Sequence, residues 1–300
     1  MKTIVTLIAN TARGALAPDL VRSVEAPLAG AHVDWLAEGE AVDIVLENPL
    51  TSDDSATLAQ DLVLRLHGLA IDFAIQTLAP EDRRKKILIA DMDSTMIRQE
   101  CIDELADEAG VGAYVASITA RAMNGEIGFE GALRERVALL KGLPSSVIDH
   151  VIATRIELMP GGPELVRTMK AHGAWCALVS GGFTDFTGRI AEMIGFQENR
   201  ANRLLQEGGV LVGEVAEPIL GRQAKADALR DIATRLNLTP ADAIAVGDGA
   251  NDLTMLELAG TGVALHAKPS VAAQADIRID HNDLTALLYI QGYRRDEFVR

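Results

Sequence analysis

Two aspartates separated by one residue follow a short apolar run, and this arrangement constrains the fold more than any other part of the chain. The run is Ile87-Leu88-Ile89-Ala90, and the acidic pair is Asp91 and Asp93. Because side chains alternate along a strand, residues two apart emerge on the same side of it. In open α/β sheets, ligands bind beyond the carboxyl ends of the strands. The segment therefore predicts a buried strand that ends at a binding site.

The spacing of the two carboxylates also indicates a cation. Two acidic groups this close repel each other unless a positive charge lies between them, and a hard divalent ion prefers oxygen ligands. One carboxylate could then attack a substrate while the other handles a proton. The alternative is that Asp91 and Asp93 only close a turn or cap the next helix.

Length and charge limit the class of protein. A chain of 300 residues fits one or two cores, and 48% hydrophobic with 24% charged residues is typical of a globular protein. The net charge of -15 and the lack of a basic stripe argue against a nucleic-acid partner. The basic cluster Arg83-Arg84-Lys85-Lys86 is predicted to be a solvated linker end.

Other features of the composition predict a cytoplasmic protein with no membrane partner. No apolar stretch reaches the roughly 18–20 residues that span a bilayer. Residues 1–8 carry one charged side chain and are predicted to be a first strand, not a signal peptide. Cys101 and Cys176 form no spaced metal set, so they are expected to be ordinary reduced residues. The scattered histidines argue against a zinc site.

The first 80 residues predict a small α+β domain. Strands are predicted over 2–9, 31–37, 41–46 and 69–77, and helices over 18–28 and 52–66, the second capped by Ser52. The order βαββαβ describes a sheet with helices on one face. Residues 79–84 are polar and contain a proline, which predicts a linker.

Residues 81–300 are predicted to form an α/β domain. Strands predicted over 87–90, 174–179, 243–246, 262–265 and 275–279 alternate with helices over 162–171, 223–236 and 252–259. This rhythm is typical of a parallel sheet with helices on both faces. Between about 98 and 158 apolar residues recur at helical spacing, as Leu133, Val137 and Leu140 do. That interval is predicted to be a helical lid over the strand end that carries Asp91.

Three later segments carry residue types that bind phosphate or metal ions. Ser180, Gly181 and Gly182 follow a strand, where a hydroxyl and amides can bind an anion, although a plain tight turn also explains them. Lys225 lies near the start of a predicted helix, where a lone lysine is commonly solvated. The loop Gly247-Asp248-Gly249-Ala250-Asn251-Asp252 is acidic, which suits a hard cation better than a pyrophosphate.

Taken in order, these segments resemble the signature of the haloacid dehalogenase superfamily: Asp-x-Asp-x-Thr, then Ser or Thr, then Lys, then Gly-Asp-x-x-x-Asp. The matching residues are Asp91-Met92-Asp93-Ser94-Thr95, Ser180, Lys225 and Gly247-Asp248-Gly249-Ala250-Asn251-Asp252. Over about residues 87–290 the chain is similar to the members of that superfamily that act on phosphoserine. That likeness includes Glu100 and the segments 129–137 and 179–183, and Met92 stands where those enzymes often have phenylalanine. Residues 1–80 resemble an ACT-like domain in their order of elements.

The resemblance implies a Mg²⁺-dependent phosphatase that forms an aspartyl-phosphate. Asp91 would be the nucleophile, and Asp93 would protonate the leaving group and then activate water. Asp91, the backbone carbonyl of Asp93 and Asp248 would hold Mg²⁺. Asn251 and Asp252 would order the residues around the ion.

The resemblance also implies a set of substrate contacts. These would be made by Glu100, Phe129, Arg136, Ser180, Gly181, Lys225 and Asn251. Glu100 suits an ammonium group, and Arg136 can make two hydrogen bonds to a carboxylate. Without the resemblance, Arg136 would be interpreted as half of a surface ion pair.

The implied activity is hydrolysis of O-phospho-L-serine to L-serine and phosphate, the last step of serine biosynthesis. A related phosphatase or phosphotransferase acting on phosphothreonine or phosphohomoserine is the nearest alternative. A different alternative is a regulatory module that senses an amino acid through an N-terminal domain and is catalytically idle. The resemblance is also compatible with a homodimer formed through the N-terminal domain.

Overall fold

The computed structural model describes residues 1–123 and 126–300 and contains an antiparallel sheet, a parallel sheet and a β-hairpin. The strands are β1 (Lys2–Ala9), β2 (Ala31–Ala37), β3 (Ala41–Leu46), β4 (Ile71–Leu78), β5 (Ile87–Ala90), β6 (Trp175–Phe183), β7 (Glu198–Asn202), β8 (Leu204–Glu207), β9 (Val210–Val215), β10 (Ala243–Gly247), β11 (Thr261–Leu265) and β12 (Ile277–Ile279). The helices are α1 (Pro18–Glu25), α2 (Ser52–Arg65), α3 (Cys101–Glu108), α4 (Gly112–Met123), α5 (Phe129–Ala138), α6 (Ser146–Thr154), α7 (Gly162–Ala171), α8 (Thr184–Ile194), α9 (Arg222–Arg235), α10 (Leu253–Leu258), α11 (Pro269–Ala272) and α12 (Ala286–Ile290).

The first four strands and two helices form a separate N-terminal domain, which confirms the predicted βαββαβ order. Its sheet has the strand order β2-β3-β1-β4, with antiparallel neighbours. Alternate residues of β1, such as Val5 and Leu7, pack beneath α1 and α2. The hydroxyl of Thr51 accepts a hydrogen bond from the Asp54 backbone N–H at 3.1 Å and caps α2. The prediction of Ser52 as that cap was wrong by one residue.

The second sheet is parallel throughout and has the strand order β12-β11-β10-β5-β6-β7. One face packs against α9 and α10, and the other face packs against α7, α8 and α12. This arrangement confirms the predicted fold class. The sequence did not predict β7, because the strand reads Glu-Asn-Arg-Ala-Asn and lies at an edge, where burial does not impose apolar alternation.

The lid interval is helical, as predicted, and contains α3 to α6. Its two ends meet at an isolated bridge between Ile97 and Leu158, next to the carboxyl end of β5. The hairpin of β8 and β9 holds the lid from the other side. The Gly142 N–H donates to the Leu211 carbonyl, and the Leu211 N–H donates to the Leu143 carbonyl, both at 2.8 Å. The lid is therefore tied to the sheet domain at two places.

The N-terminal sheet packs its second face against the domain that contains the parallel sheet. Ile8 and Ala74 on that face belong to the same apolar cluster as α12. At the interface, Arg83 donates to both oxygens of Asp43, at 2.6 and 2.8 Å. Lys85 is buried and donates to the Ala241 carbonyl at 3.0 Å. The prediction of a solvated linker end was therefore wrong for Arg83 and Lys85.

Two smaller expectations can also be compared with the structure. Cys101 and Cys176 are free, buried thiols in α3 and β6. Over residues 1–123 and 126–300, no helix combines the length and the apolar character that crossing a bilayer requires.

Candidate active site

Three adjacent strands at the centre of the parallel sheet place the site. Ala90 of β5 lies opposite Val246 of β10 on one side and Leu178 of β6 on the other. The residues that follow these strands in the chain therefore reach the same rim. Asp91 follows β5 and Asp248 follows β10. Strand β6 continues through Phe183, so residues 180–182 lie within the strand, near its carboxyl end. The predicted strand-to-helix turn at Ser180 is thus extended strand.

Lys225 lies between two carboxylates rather than in solvent. Its Nζ atom is 2.6 Å from Oδ1 of Asp91 and 2.6 Å from Oδ1 of Asp252, and its side chain is 3% exposed. Burial opposes the charge on Lys225, but the two carboxylates outweigh burial and raise its pKa, so the ammonium stays protonated. The alternative of a solvated helical lysine therefore does not hold for Lys225.

Three buried carboxylates converge at the rim and fit a divalent cation. Asp91, Asp248 and Asp252 each offer an oxygen, and these oxygens lie within 4.8 Å of one another. Burial, followed by the charge of Asp252, raises the pKa of both Asp91 and Asp248. The single positive charge of Lys225 cannot offset three such charges. The excess negative charge and the all-oxygen ligand set match the requirements of a hard cation.

Thr95 contacts the Asp248 carboxylate. Its hydroxyl is fully buried and donates to Oδ1 of Asp248 at 3.3 Å. Thr95 is the last residue of the Asp-x-Asp-x-Thr motif, and no role was predicted for it. On the opposite side, the Gly249 N–H donates to Oδ2 of Asp252 at 3.0 Å. These contacts fix the orientation of the acidic loop, in which Asn251 is half-buried beside Gly249.

The Asp93 carboxylate points away from the acidic group and towards the lid. Its Oδ1 accepts from the Cys101 N–H at the start of α3 at 2.9 Å, and its Oδ2 accepts from the Ser180 hydroxyl at 3.3 Å. Burial raises the pKa of Asp93, although those hydrogen bonds oppose the shift. A carboxyl group with a raised pKa is suited to donate a proton near neutral pH.

The last residues of β6 carry hydrogen-bond donors at the rim of the site, and the buried Asn202 contacts their backbone. The Gly182 N–H donates to the Ser180 hydroxyl at 2.8 Å. Asn202 donates its amide hydrogens to the carbonyls of Gly181 and Leu220, at 2.8 and 3.3 Å, and accepts from the Leu220 N–H at 2.7 Å. The orientation of the Gly181 peptide is thereby fixed. Asn202 was not predicted as a functional residue, since the strand that carries it was not predicted either.

The mouth of the site carries the residues implied to contact a substrate. Glu100 precedes α3, and its carboxylate accepts from the Ser94 hydroxyl at 2.7 Å. Burial of its carboxyl group, followed by the charge of Asp93, raises the pKa of Glu100 to about 7 even though part of the residue remains exposed. Arg136, on α5, is half-buried, and the carboxylates of Asp103, Glu100 and Asp93 stabilise its charge against burial. A positive and a negative group thus face the same opening.

Phe129 covers this opening at the start of α5. Its ring lies over two glycines: a methyl group added to Gly181 would be 3.3 Å from the ring, and one added to Gly221 would be 3.6 Å from it. Gly182 has no room for a side chain either, because a methyl group there would lie 2.9 Å from an Asp93 oxygen. Glycine at these positions lets the lid approach the sheet closely. Phe129 as a whole is still 39% exposed.

Comparison with known proteins places this geometry in a family. Residues 88–257 match the model of the haloacid dehalogenase-like hydrolases. The chain is 42% identical over 248 residues to phosphoserine phosphatase of Archaeoglobus fulgidus, covering 83% of this chain and 72% of that protein. A HAD family hydrolase from Salmonella enterica subsp. enterica serovar Typhi superposes with a TM-score of 0.84 at 31% identity, covering 99% of both chains. A substrate-bound phosphoserine phosphatase gives a TM-score of 0.64 at 41% identity, covering 68% of this chain and 97% of that one. Two of these similar proteins are phosphoserine phosphatases, and the chain itself belongs to the haloacid dehalogenase-like hydrolases.

Proposed function

We propose that this chain hydrolyses O-phospho-L-serine to L-serine and phosphate, with Asp91 as the nucleophile and Mg²⁺ as the cofactor. The observation that carries the proposal is the position of the Asp91 carboxylate. It lies at a strand end, in contact with the Lys225 ammonium and close to the Asp248 and Asp252 carboxylates. A dianionic phosphate group needs this combination of an in-line nucleophile and positive charge.

The cation site consists of residues whose chemistry suits Mg²⁺. Asp91, Asp248 and the backbone carbonyl of Asp93 would hold the ion, and Asp252 would orient the ligands through its contacts with Lys225 and Gly249. When bound there, Mg²⁺ supplies positive charge that offsets the negative charge of the phosphate group.

The side chains of the chain itself account for both steps of hydrolysis. The Asp91 carboxylate forms a bond to phosphorus as the bond from phosphorus to the serine oxygen breaks, and Asp93 gives its proton to that oxygen. Water then attacks the phosphorus of the aspartyl-phosphate while Asp93 takes a proton from it, which restores Asp91. The Ser180 hydroxyl, the Gly181 N–H and the Lys225 ammonium stabilise the charge on the phosphoryl oxygens.

The mouth of the site supports an amino acid as the leaving group. Glu100 would pair with the substrate ammonium, and Arg136 would bind its carboxylate with two hydrogen bonds. Phe129 would then keep water from the closed site. Asn251 completes the substrate contacts from the acidic loop.

The proposal also covers the domain bounds of the enzyme, its cellular compartment and its oligomeric state. Residues 1–80 form the ACT-like domain, residues 81–300 form the phosphatase domain, and about 98–158 form its lid. The enzyme acts in the cytoplasm, which the two free cysteines support. A homodimer through the N-terminal domain is supported by Val63 and Leu64 of α2, which are 52% and 77% exposed.

Release of phosphate from L-phosphoserine, with Mg²⁺ and then with EDTA, tests the proposal. We expect turnover that depends on Mg²⁺ and that Asp91→Asn lowers by about 10³-fold or more without loss of the fold, as for removal of other enzymes' nucleophiles. Phosphothreonine, phosphohomoserine and an aryl phosphate form the comparison panel. Faster hydrolysis of another member of the panel would show that phosphoserine is not the preferred substrate. Normal turnover by Asp91→Asn would show that Asp91 is not the nucleophile.

A further inference from the structure

Asp72 is a buried carboxylate of the N-terminal domain that binds the backbone of the catalytic domain. Its Oδ1 accepts from the Asp280 N–H at 2.9 Å, and its Oδ2 accepts from the Asn282 N–H and the Asn282 side-chain amide, each at 2.9 Å. The His281 N–H lies between the two oxygens, at 3.2 and 3.1 Å. Only 5% of Asp72 is exposed. Both oxygens of this carboxylate are thus occupied by donors from one segment, residues 280–282.

Other residues of the N-terminal domain hold the same segment. The Asn282 side-chain amide also donates to the Ile8 carbonyl at 2.9 Å, and the Asn10 side chain donates to the His281 carbonyl. Strands β1 and β4 therefore both contribute to fixing residues 280–282. These contacts hold the loop that follows the edge strand β12.

The fixed segment supports a second loop, which follows β11. The His266 ring donates from Nε2 to the Asn282 carbonyl at 2.9 Å. His266 has a backbone φ of +45°, in the left-handed region that residues other than glycine rarely occupy. Such a conformation persists where surrounding contacts hold it in place. The hydrogen bond to Asn282 is one such contact, and the His266 N–H, which donates to the Ile279 carbonyl at 2.8 Å, is another. Residues 280–282 therefore contribute to holding the conformation at His266.

The loop after β11 in turn contacts the proposed metal site. The Lys268 N–H donates to the Asp248 carbonyl at 3.4 Å. A continuous set of contacts therefore runs from Asp72 to Asp248.

We infer that Asp72 is a positioning residue of the active site, acting through Asn282 and His266 to hold the 266–268 loop against Asp248. The inference rests on the proposed metal site but not on the identity of the substrate. It gives the N-terminal domain a direct part in forming the catalytic centre, since one of its carboxylates determines the position of a loop beside a metal ligand.

Asp72→Asn tests this inference because it removes an acceptor without changing the size of the side chain. The amide NH₂ group would face N–H donors, so residues 280–282 lose their anchor. We expect Mg²⁺ to bind the free protein about five- to tenfold more weakly by calorimetry, within the usual range of coupling between sites. Hydrogen exchange should also become faster in 264–268 and 280–284 of the metal-free protein.

Asp43→Asn is the matched control, since Asp43 is a buried carboxylate of the same domain at the same interface but binds the Arg83 side chain. It should lower the thermal stability of the protein and leave Mg²⁺ affinity unchanged. An equal loss of Mg²⁺ affinity in both variants would assign the effect to domain docking in general and overturn the inference.

His266→Ala provides a second test that leaves the N-terminal domain intact, and it decides the question if Asp72→Asn does not fold. We expect the same weakening of Mg²⁺ binding. Wild-type affinity in His266→Ala would overturn the inference. Because Mg²⁺ binding is measured without substrate, a wild-type protein that binds Mg²⁺ but does not hydrolyse phosphoserine would contradict only the proposed function.

Discussion

The ammonium of Lys225 lies 2.6 Å from Oδ1 of Asp91, and both side chains are almost completely buried. Two ionised groups removed from water in this way stabilise each other, yet each is costly without its partner. The contact favours the ionised form of Asp91 and so opposes the burial that raises the pKa of this carboxyl group. It also places a positive charge where phosphate oxygens would lie. The same pair therefore serves the stability of the free protein and the charge distribution of the site.

Replacing Lys225 with methionine is expected to destabilise the metal-free protein by about 3 kcal/mol, because it leaves the buried carboxylates of Asp91 and Asp252 without their counter-ion. Added Mg²⁺ should recover more stability in the variant than in the wild type, since it would bind the same carboxylates. Urea unfolding in EDTA and in Mg²⁺ measures both effects. A variant as stable as the wild type in EDTA would show that the contact contributes no net stability.

Glu100 is expected to lower the stability of the metal-free protein at neutral and alkaline pH. The fold raises the pKa of Glu100 from 4.5 to about 7, chiefly through burial of the carboxyl group. A raised pKa means that the folded protein favours the protonated form of Glu100. The contribution of the protonated side chain to the free energy of unfolding is therefore fully present below pH 4.5 and is lost as the pH rises through about 7.

Glu100→Gln should therefore be more stable than the wild type at pH 8 in EDTA. Because the residue is partly exposed, we expect a gain of only about 1 kcal/mol. Thermal unfolding at pH 4.5 and pH 8 measures the difference, which should vanish at the lower pH. A gain of the same size at both pH values would mean that ionisation is not its cause. The variant should also bind phosphoserine more weakly, since it loses the partner of the ammonium.

Local sequence patterns were enough to predict the strands that carry the site. The apolar run before Asp91 forms β5 with the predicted bounds, and the βαββαβ order of the N-terminal domain is as expected. These features depend on residues close together in the chain. The helical character of the lid followed from the spacing of its apolar residues in the same way.

Pairings between distant residues could not be predicted in this way. Arg83 is in a polar, proline-containing segment, and only the folded chain shows that Asp43, 40 positions away, neutralises it. Asn202 was missed because an edge strand has no apolar alternation to reveal it. Lys225 differs from a surface lysine only through partners that the strand order brings to it. Each of these contacts depends on the relative placement of elements, which periodicity does not specify.

Arg136→Ala should reduce kcat/KM for phosphoserine about 100-fold and for an aryl phosphate only a few-fold, because only phosphoserine has a carboxylate for the guanidinium to bind. Steady-state kinetics with the two substrates measures the ratio. Arg134→Ala is the matched control, since Arg134 lies on the same helix but is exposed and pairs with Glu217. Equal losses on both substrates would show that Arg136 does not bind the carboxylate.

Asn202→Ala should impair catalysis more than substrate binding, although Asn202 itself touches no reacting atom. The change leaves the Gly181 and Leu220 carbonyls and the Leu220 N–H without their partner, at a cost of about 1–3 kcal/mol in stability. The Gly181 peptide would then lose the fixed orientation that aims its N–H at the phosphoryl group. We expect kcat to fall about 10- to 100-fold with a smaller change in KM.

The control for Asn202→Ala is Asn199→Ala on the same strand. Asn199 is exposed and accepts a hydrogen bond from Thr187, on the side of β7 that leads to α8 instead of to the site. Both variants remove a side-chain amide from an edge strand, so both test the effect of weakening β7. Only Asn202→Ala should lower kcat. A similar fall in kcat for Asn199→Ala would mean that the strand as a whole, and not the Asn202 contact with Gly181, maintains the orientation of the Gly181 N–H.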